Sequence, residues 1–157
     1  MNHYWQAFLL SLLPVAELRG GIPLAVGYEI PIIQAFILCV AANILVIPLF
    51  YIFLNTLHKL FYKAGFYRKI FDKYVNRTIT RAQSKVEKYG YWGVMLFVAI
   101  PLPITGAYTG TLATWLLKLD MKKAFWFLAL GVIIAGIIVS AAVLTGVGIL
   151  QIFTKHA

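Results

Sequence analysis

The chain has 157 residues, of which 62% are hydrophobic and only 12% charged, with a formal net charge of +9. A soluble domain of this size carries roughly twice that charged fraction. A water-soluble globule is therefore excluded, and an all-α integral membrane protein is expected. Nine of the fourteen Lys and Arg residues fall between Lys59 and Lys88, against only Asp72 and Glu87. Basic charge confined between two oily regions points to a cytoplasmic loop facing anionic headgroups rather than to a nucleic-acid partner. Cys39 is the single cysteine, and His3, His58 and His156 are scattered, so neither a disulfide nor a metal or other cofactor is expected. The N-terminus lacks the basic start of a secretory signal and is read as part of the mature protein.

The first oily block, Tyr4 to Tyr28, is interrupted by Pro14-Val15-Ala16-Glu17-Leu18-Arg19-Gly20-Gly21-Ile22-Pro23. Prolines and paired glycines weaken a helix, so two half-helices joined at a break are expected. The second half-helix is placed near Ile22-Pro23. Irregular backbone survives at membrane depth only where protein or a water-filled cavity covers it. Pro31 to Thr56 is the first clean span, with Asn43 and Pro48 read as packing features that allow a kink. Lys69, Lys73, Arg77, Arg81 and Lys85 then recur every fourth residue beside an apolar stripe of Ile70, Tyr74 or Val75, Ile79, Ala82, Val86 and Tyr89. That pattern predicts an amphipathic helix lying on lipid headgroups on the cytoplasmic side. The block Tyr91 to Leu117 is broken again, around Pro101, Pro103, Thr105, Gly106, Tyr108, Thr109 and Gly110, with hydroxyls in place of charges. Ala124 to Phe153 is the last span, where Gly136 with Ser140 and Ala142 with Gly146 would let another helix approach closely, in the same chain or in a second copy.

An offset of 89 residues aligns Phe8 with Phe97, Pro14 with Pro103, Gly21 with Gly110, Ala35 with Ala124, Phe36 with Phe125 and Ile44 with Ile133. The charges select the topology. If all four oily blocks crossed the membrane, Lys118, Lys122 and Lys123 would lie outside, against the positive-inside rule. If each broken block enters and leaves on one side, those lysines return to the cytoplasm. The expected fold is an inverted repeat of two re-entrant helical hairpins and two long transmembrane helices, plus the cytoplasmic amphipathic helix. It forms one membrane domain over 1–157, with the first repeat at 1–57, the basic helix at 58–90 and the second repeat at 91–157.

Charged groups inside a membrane are functional by default. Arg19 beside a helix N-terminus offers an anion site, Glu17 is either its partner or a protonatable carrier, and Thr105, Tyr108 and Thr109 supply hydroxyls from the facing hairpin. No nucleophile-base constellation is present, so an enzyme is not expected. The two motifs Pro14 to Pro23 and Pro101 to Gly110 resemble the small multidrug export protein family, over nearly the whole chain. That family is similar to the DedA-like (SNARE-associated, VTT-type) membrane proteins. The resemblance implies two opposed re-entrant hairpins and movement of a lipid phosphate such as undecaprenyl phosphate between leaflets, with proton coupling. DedA-like proteins carry acidic residues near the first hairpin and arginines near the second, whereas both charges here lie in the first.

The leading expectation is a small transporter of an amphiphilic, anionic lipid-phosphate substrate. The alternative is a small multidrug exporter of lipophilic cations, and a second is a non-transporting lipid-binding scaffold. Membrane lipids and a second copy of the chain, as a homodimer, are the expected partners.

Overall fold

The computed structural model describes residues 2–57, 61–62, 65–101 and 105–155. Among them are seven helices: α1 (His3–Leu12), α2 (Glu17–Gly27), α3 (Ile32–Thr56), α4 (Gly65–Tyr89), α5 (Tyr91–Ala99), α6 (Ala107–Leu116) and α7 (Met121–Lys155). Over Ile32–Thr56 and Met121–Gly146, α3 and α7 are long and apolar enough to cross a membrane. The chain is an all-α, multi-pass membrane protein.

The breaks fall where proline dictates them. A residue before proline is pushed into extended backbone. Leu13, before Pro14, has ψ 135° and ends α1, while Ile100, before Pro101, has ψ 111° and ends α5. The paired glycines predict a break at Gly20-Gly21 with a new helix from Ile22-Pro23, and the structure corrects this. The break spans 13–16, and α2 starts at Glu17 and runs through both glycines and Pro23. The glycines serve contact instead. A Cβ on Gly20 would press on Ala16 and Leu10, and one on Gly21 would overlap Ser11. Close packing at these two positions outweighs the helix propensity that glycine lacks.

The offset of 89 residues found in the sequence reappears in backbone geometry. Tyr28 N–H donates to Leu24 O (3.1 Å), Glu29 N–H to Val26 O (2.9 Å) and Ile30 N–H to Ala25 O (3.0 Å). The same three bonds recur from Leu117 to Ala113 (3.0 Å), Lys118 to Trp115 (3.2 Å) and Leu119 to Thr114 (3.0 Å). Glu29 and Lys118 occupy the same left-handed position in these caps, at φ 62° and 53°. Buried positions of α3 (Ala35, Cys39, Val40, Ala42, Asn43, Val46, Ile47) return in α7 as Ala124, Leu128, Ala129, Gly131, Val132, Ala135 and Gly136. Left-handed backbone costs an L-residue about 1 kcal/mol that glycine escapes. Glu29→Gly and Lys118→Gly are each expected to stabilise the protein by about that much in denaturation in detergent, with additive effects.

Two compact units divide the chain: Met1–Asn43 with Ile133–Ala157, and Ile44–Val132. In the first, α1 packs along α2, and Ala7, Ala25, Ile30 and Ala35 form a buried cluster. The start of α1 is tied to the end of α2 by the His3 and Tyr28 rings (4.2 Å), and to the start of α3 by Tyr4 Oη donating to Gln34 Oε1 (2.8 Å). Gly136 of α7 meets Phe36 and Val40 of α3, so the helix that its small side chain admits belongs to the same chain.

In the second unit, α5 packs along α6 and α4 packs on both. Thr78, Ala82 and Val86 of α4 are buried, and a Cβ on Gly93 would meet the Lys85 backbone. The apolar stripe of α4 thus has a protein partner over its C-terminal half, while Phe66 and Ile70 near its start are exposed. Asp120 N–H donates to Tyr91 Oη (3.3 Å), linking the start of α7 to the start of α5. Trp115 Nε1 donates to Asn55 Oδ1 (3.1 Å), linking the end of α6 to the end of α3.

Candidate functional site

The tip of the first hairpin is the turn 13–16 followed by the first turn of α2. Pro14 is exposed, and Val15 is 95% exposed. Glu17 then turns inward and is only 8% exposed. Its backbone has φ 44°, a left-handed conformation that few residues other than glycine adopt. The position 89 residues later is Gly106, the residue before α6, whose different backbone (φ 152°, ψ −165°) is also one that glycine adopts most readily. A buried carboxylate thus occupies a place for which the second hairpin uses glycine.

Arg19 lies half-buried in the same first turn, and Gly20 and Gly21 follow directly. Pro23, on an exposed side of α2, removes the N–H that would otherwise bond the Arg19 carbonyl. The helix start expected at Ile22-Pro23 is not there, because α2 begins at Glu17 and the N–H groups of its first turn lie around Leu18 and Arg19.

Beneath this turn is a knot of small and polar residues that the sequence reading did not assemble. Gly21 lies against Ser11 of α1 and Cys39 of α3. Asn43 Nδ2 donates to Ser11 O (3.0 Å) and to Cys39 O (3.2 Å), with Asn43 fully buried. The Ser11 carbonyl is one of the last four of α1, which no intrahelical N–H can reach. Asn43 thus caps the broken helix from the long one and fixes the tip to α3. The signal available in the sequence was an Asn in the middle of an apolar span, one helical turn beyond the only Cys.

The tip of the second hairpin belongs to the other unit. Thr105 Oγ1 donates to Ile100 O (2.6 Å) across the break, and Thr109 Oγ1 to Gly106 O (3.2 Å) in the first turn of α6. Both hydroxyls thus donate to backbone carbonyls of their own segment. The Tyr108 ring lies edge-on to Phe50 of α3, centroids 5.0 Å apart. Pro101 is half-buried, and Pro103 lies outside the described residues. Gly110 repeats the role of Gly21, since its Cβ would meet Val98 of α5 and Leu128 of α7. Leu128 is 89 residues after Cys39, so both glycines face the equivalent residue of the following long helix.

On the basic helix, Lys69, Lys73 and Arg77 are exposed and Lys85 is half-buried; the side chain of Arg81 lies outside the described residues. Among the described residues no cluster of His, Cys, Asp and Glu could hold a metal.

Comparison with known families matches residues 17–138 to the family described as "Putative small multi-drug export protein". No curated protein and no solved structure matches the chain. The match begins at Glu17, the first residue of α2, takes in both broken segments' second helices and ends within α7. The match covers most of the chain, including all of α3 and the first half of α7, and so the chain belongs to the small multi-drug export protein family, whose members are transporters and not enzymes.

Proposed function

We propose that the chain exports amphiphilic, drug-like organic cations, and that Glu17 is the group that binds them. The observation that carries this reading is the buried Glu17 carboxylate held in left-handed backbone at the hairpin tip. A carboxylate in a dry site attracts a lipophilic cation and takes up a proton when the cation leaves, which would couple export to protons. The family match favours this reading over the lipid-phosphate substrate. Arg19, at the positive end of α2, supports the second reading, an anionic lipid phosphate such as undecaprenyl phosphate.

The architecture proposed for this function is an inverted pair of re-entrant hairpins. Both ends of the α1–α2 hairpin are tied near the start of α3, through His3–Tyr28 and Tyr4–Gln34. Both ends of the α5–α6 hairpin are tied to the end of α3 and the start of α7, through Trp115–Asn55 and Tyr91–Asp120. Those bonds support hairpins opened to opposite membrane faces. The positive-inside rule then puts α4 and Lys118, Lys122 and Lys123 in the cytoplasm. Lys69, Lys73 and Arg77 meet anionic headgroups there, together with Phe66 and Ile70. The chain is proposed to work as a homodimer, because so few crossing segments make only a small bundle by themselves. Thr105, Tyr108 and Thr109 would line the second half of the path.

Reconstitution in liposomes separates the readings. Tetraphenylphosphonium and a polyprenyl phosphate are offered to the wild type and to Arg19→Ala. Movement of tetraphenylphosphonium that survives Arg19→Ala supports the cation exporter. Movement of the polyprenyl phosphate alone, lost in Arg19→Ala, replaces it with the second reading. Movement of neither leaves a lipid-binding scaffold.

A further inference from the structure

The second unit contains a groove of about 570 Å³ between α3 and the start of α7. Pro48, Ile52 and Phe125 form its apolar wall, and Tyr51, Asp120 and Lys122 supply its polar groups. The volume is that of a site for a small organic group. We propose that this groove binds the headgroup and upper chain of a phospholipid bearing a primary ammonium, such as phosphatidylethanolamine, and that it is separate from the hairpin-tip site.

The polar groups decide the ligand. Asp120 Oδ1 accepts the Lys122 N–H (2.9 Å) and so caps α7, and the Asp120 N–H is held by Tyr91 Oη. This fixes the carboxylate at the rim with a second oxygen able to accept from an ammonium. Lys122 and the positive end of a 35-residue helix lie beside it and favour phosphate. A cation alone meets Lys122 and an anion alone meets Asp120. A zwitterion carrying both charges satisfies both. A primary ammonium donates hydrogen bonds to Asp120 that a trimethylammonium cannot. The apolar wall continues from the rim to Pro48, one turn deeper along α3 than Ile52, in line with an acyl chain entering the membrane.

The test is native mass spectrometry of the full chain in detergent, titrated with dioleoyl phosphatidylethanolamine, phosphatidylcholine and phosphatidylglycerol. Phosphatidylethanolamine should be retained about tenfold more tightly than either of the others, the factor that one charge-assisted hydrogen bond supplies. Asp120→Asn keeps the cap, because its amide oxygen still accepts, but should abolish that preference. Ile52→Trp fills the apolar wall and should weaken retention of phosphatidylethanolamine without lowering the melting temperature. Equal retention of the three lipids by the wild type overturns the proposal, as does a preference that survives Asp120→Asn. Tetraphenylphosphonium displacing all three lipids from the wild type, but not from Ile52→Trp, would assign the groove to an organic cation instead.

Discussion

Glu17→Gly is expected to leave the protein folded and to stop export. Glycine relieves the left-handed strain at φ 44°, a gain of about 1 kcal/mol. It gives up the favourable placement of a carboxylate at the start of α2, a loss of about 0.3–1 kcal/mol. The relief of strain offsets part of what the side chain's contacts contribute, so the variant should remain folded in detergent. Export should fall about tenfold to a hundredfold, the worth of one charge-assisted contact to the substrate. Glu17→Gln keeps the side-chain length, keeps the strain and loses the charge, so it should fail in export to the same degree. Full export by both variants would remove Glu17 from the mechanism. Unfolding of the Gly variant with normal export by Gln would make Glu17 a structural residue only.

Gly21→Ala should show the largest stability loss of any single methyl added to the first hairpin. By helix propensity alone the change would stabilise α2 by about 1 kcal/mol. The added Cβ, however, would overlap the Ser11 hydroxyl and come within 3.0 Å of Cys39 Sγ. Overpacking of this kind costs about 2 kcal/mol, so the net sign is destabilising. Ser11→Gly in the same chain removes the principal obstacle, and the double variant should recover at least half of the loss. Gly110→Ala, whose Cβ would meet Val98 and come within 2.7 Å of Leu128 Cδ2, should behave alike in the second hairpin. Measured by denaturation in detergent, additive losses for Gly21→Ala and Ser11→Gly would show that the two side chains do not compete for the same space.

Much of the fold was legible in the residues because hydropathy and proline act locally. The two long spans, the basic helix, the two breaks and their offset of 89 residues all follow from composition along the chain. The position of the first break within its motif did not. Pro23 and Gly20-Gly21 read as helix breakers, yet the break sits at Leu13-Pro14, where the residue before proline is driven into extended backbone. Gly20 and Gly21 are needed for contacts with Leu10, Ser11 and Cys39, which are set by tertiary packing. Asn43 looked like a packing residue in an oily helix. Its role as a cap for α1 depends on Ser11 being 32 residues away in sequence and adjacent in space. The partner of the α4 stripe was likewise hidden, because periodicity identifies an apolar face without naming what covers it.

The proposed opposition of the two hairpins is tested most directly by cysteine accessibility in intact and permeabilised cells. In a Cys39→Ala background, single cysteines are placed at positions 29, 88 and 120 and treated with a membrane-impermeant maleimide. The account predicts labelling of position 29 from outside, and of positions 88 and 120 only after permeabilisation. Labelling of position 120 from outside while position 88 stays protected would contradict it, because the block between them would then cross the membrane.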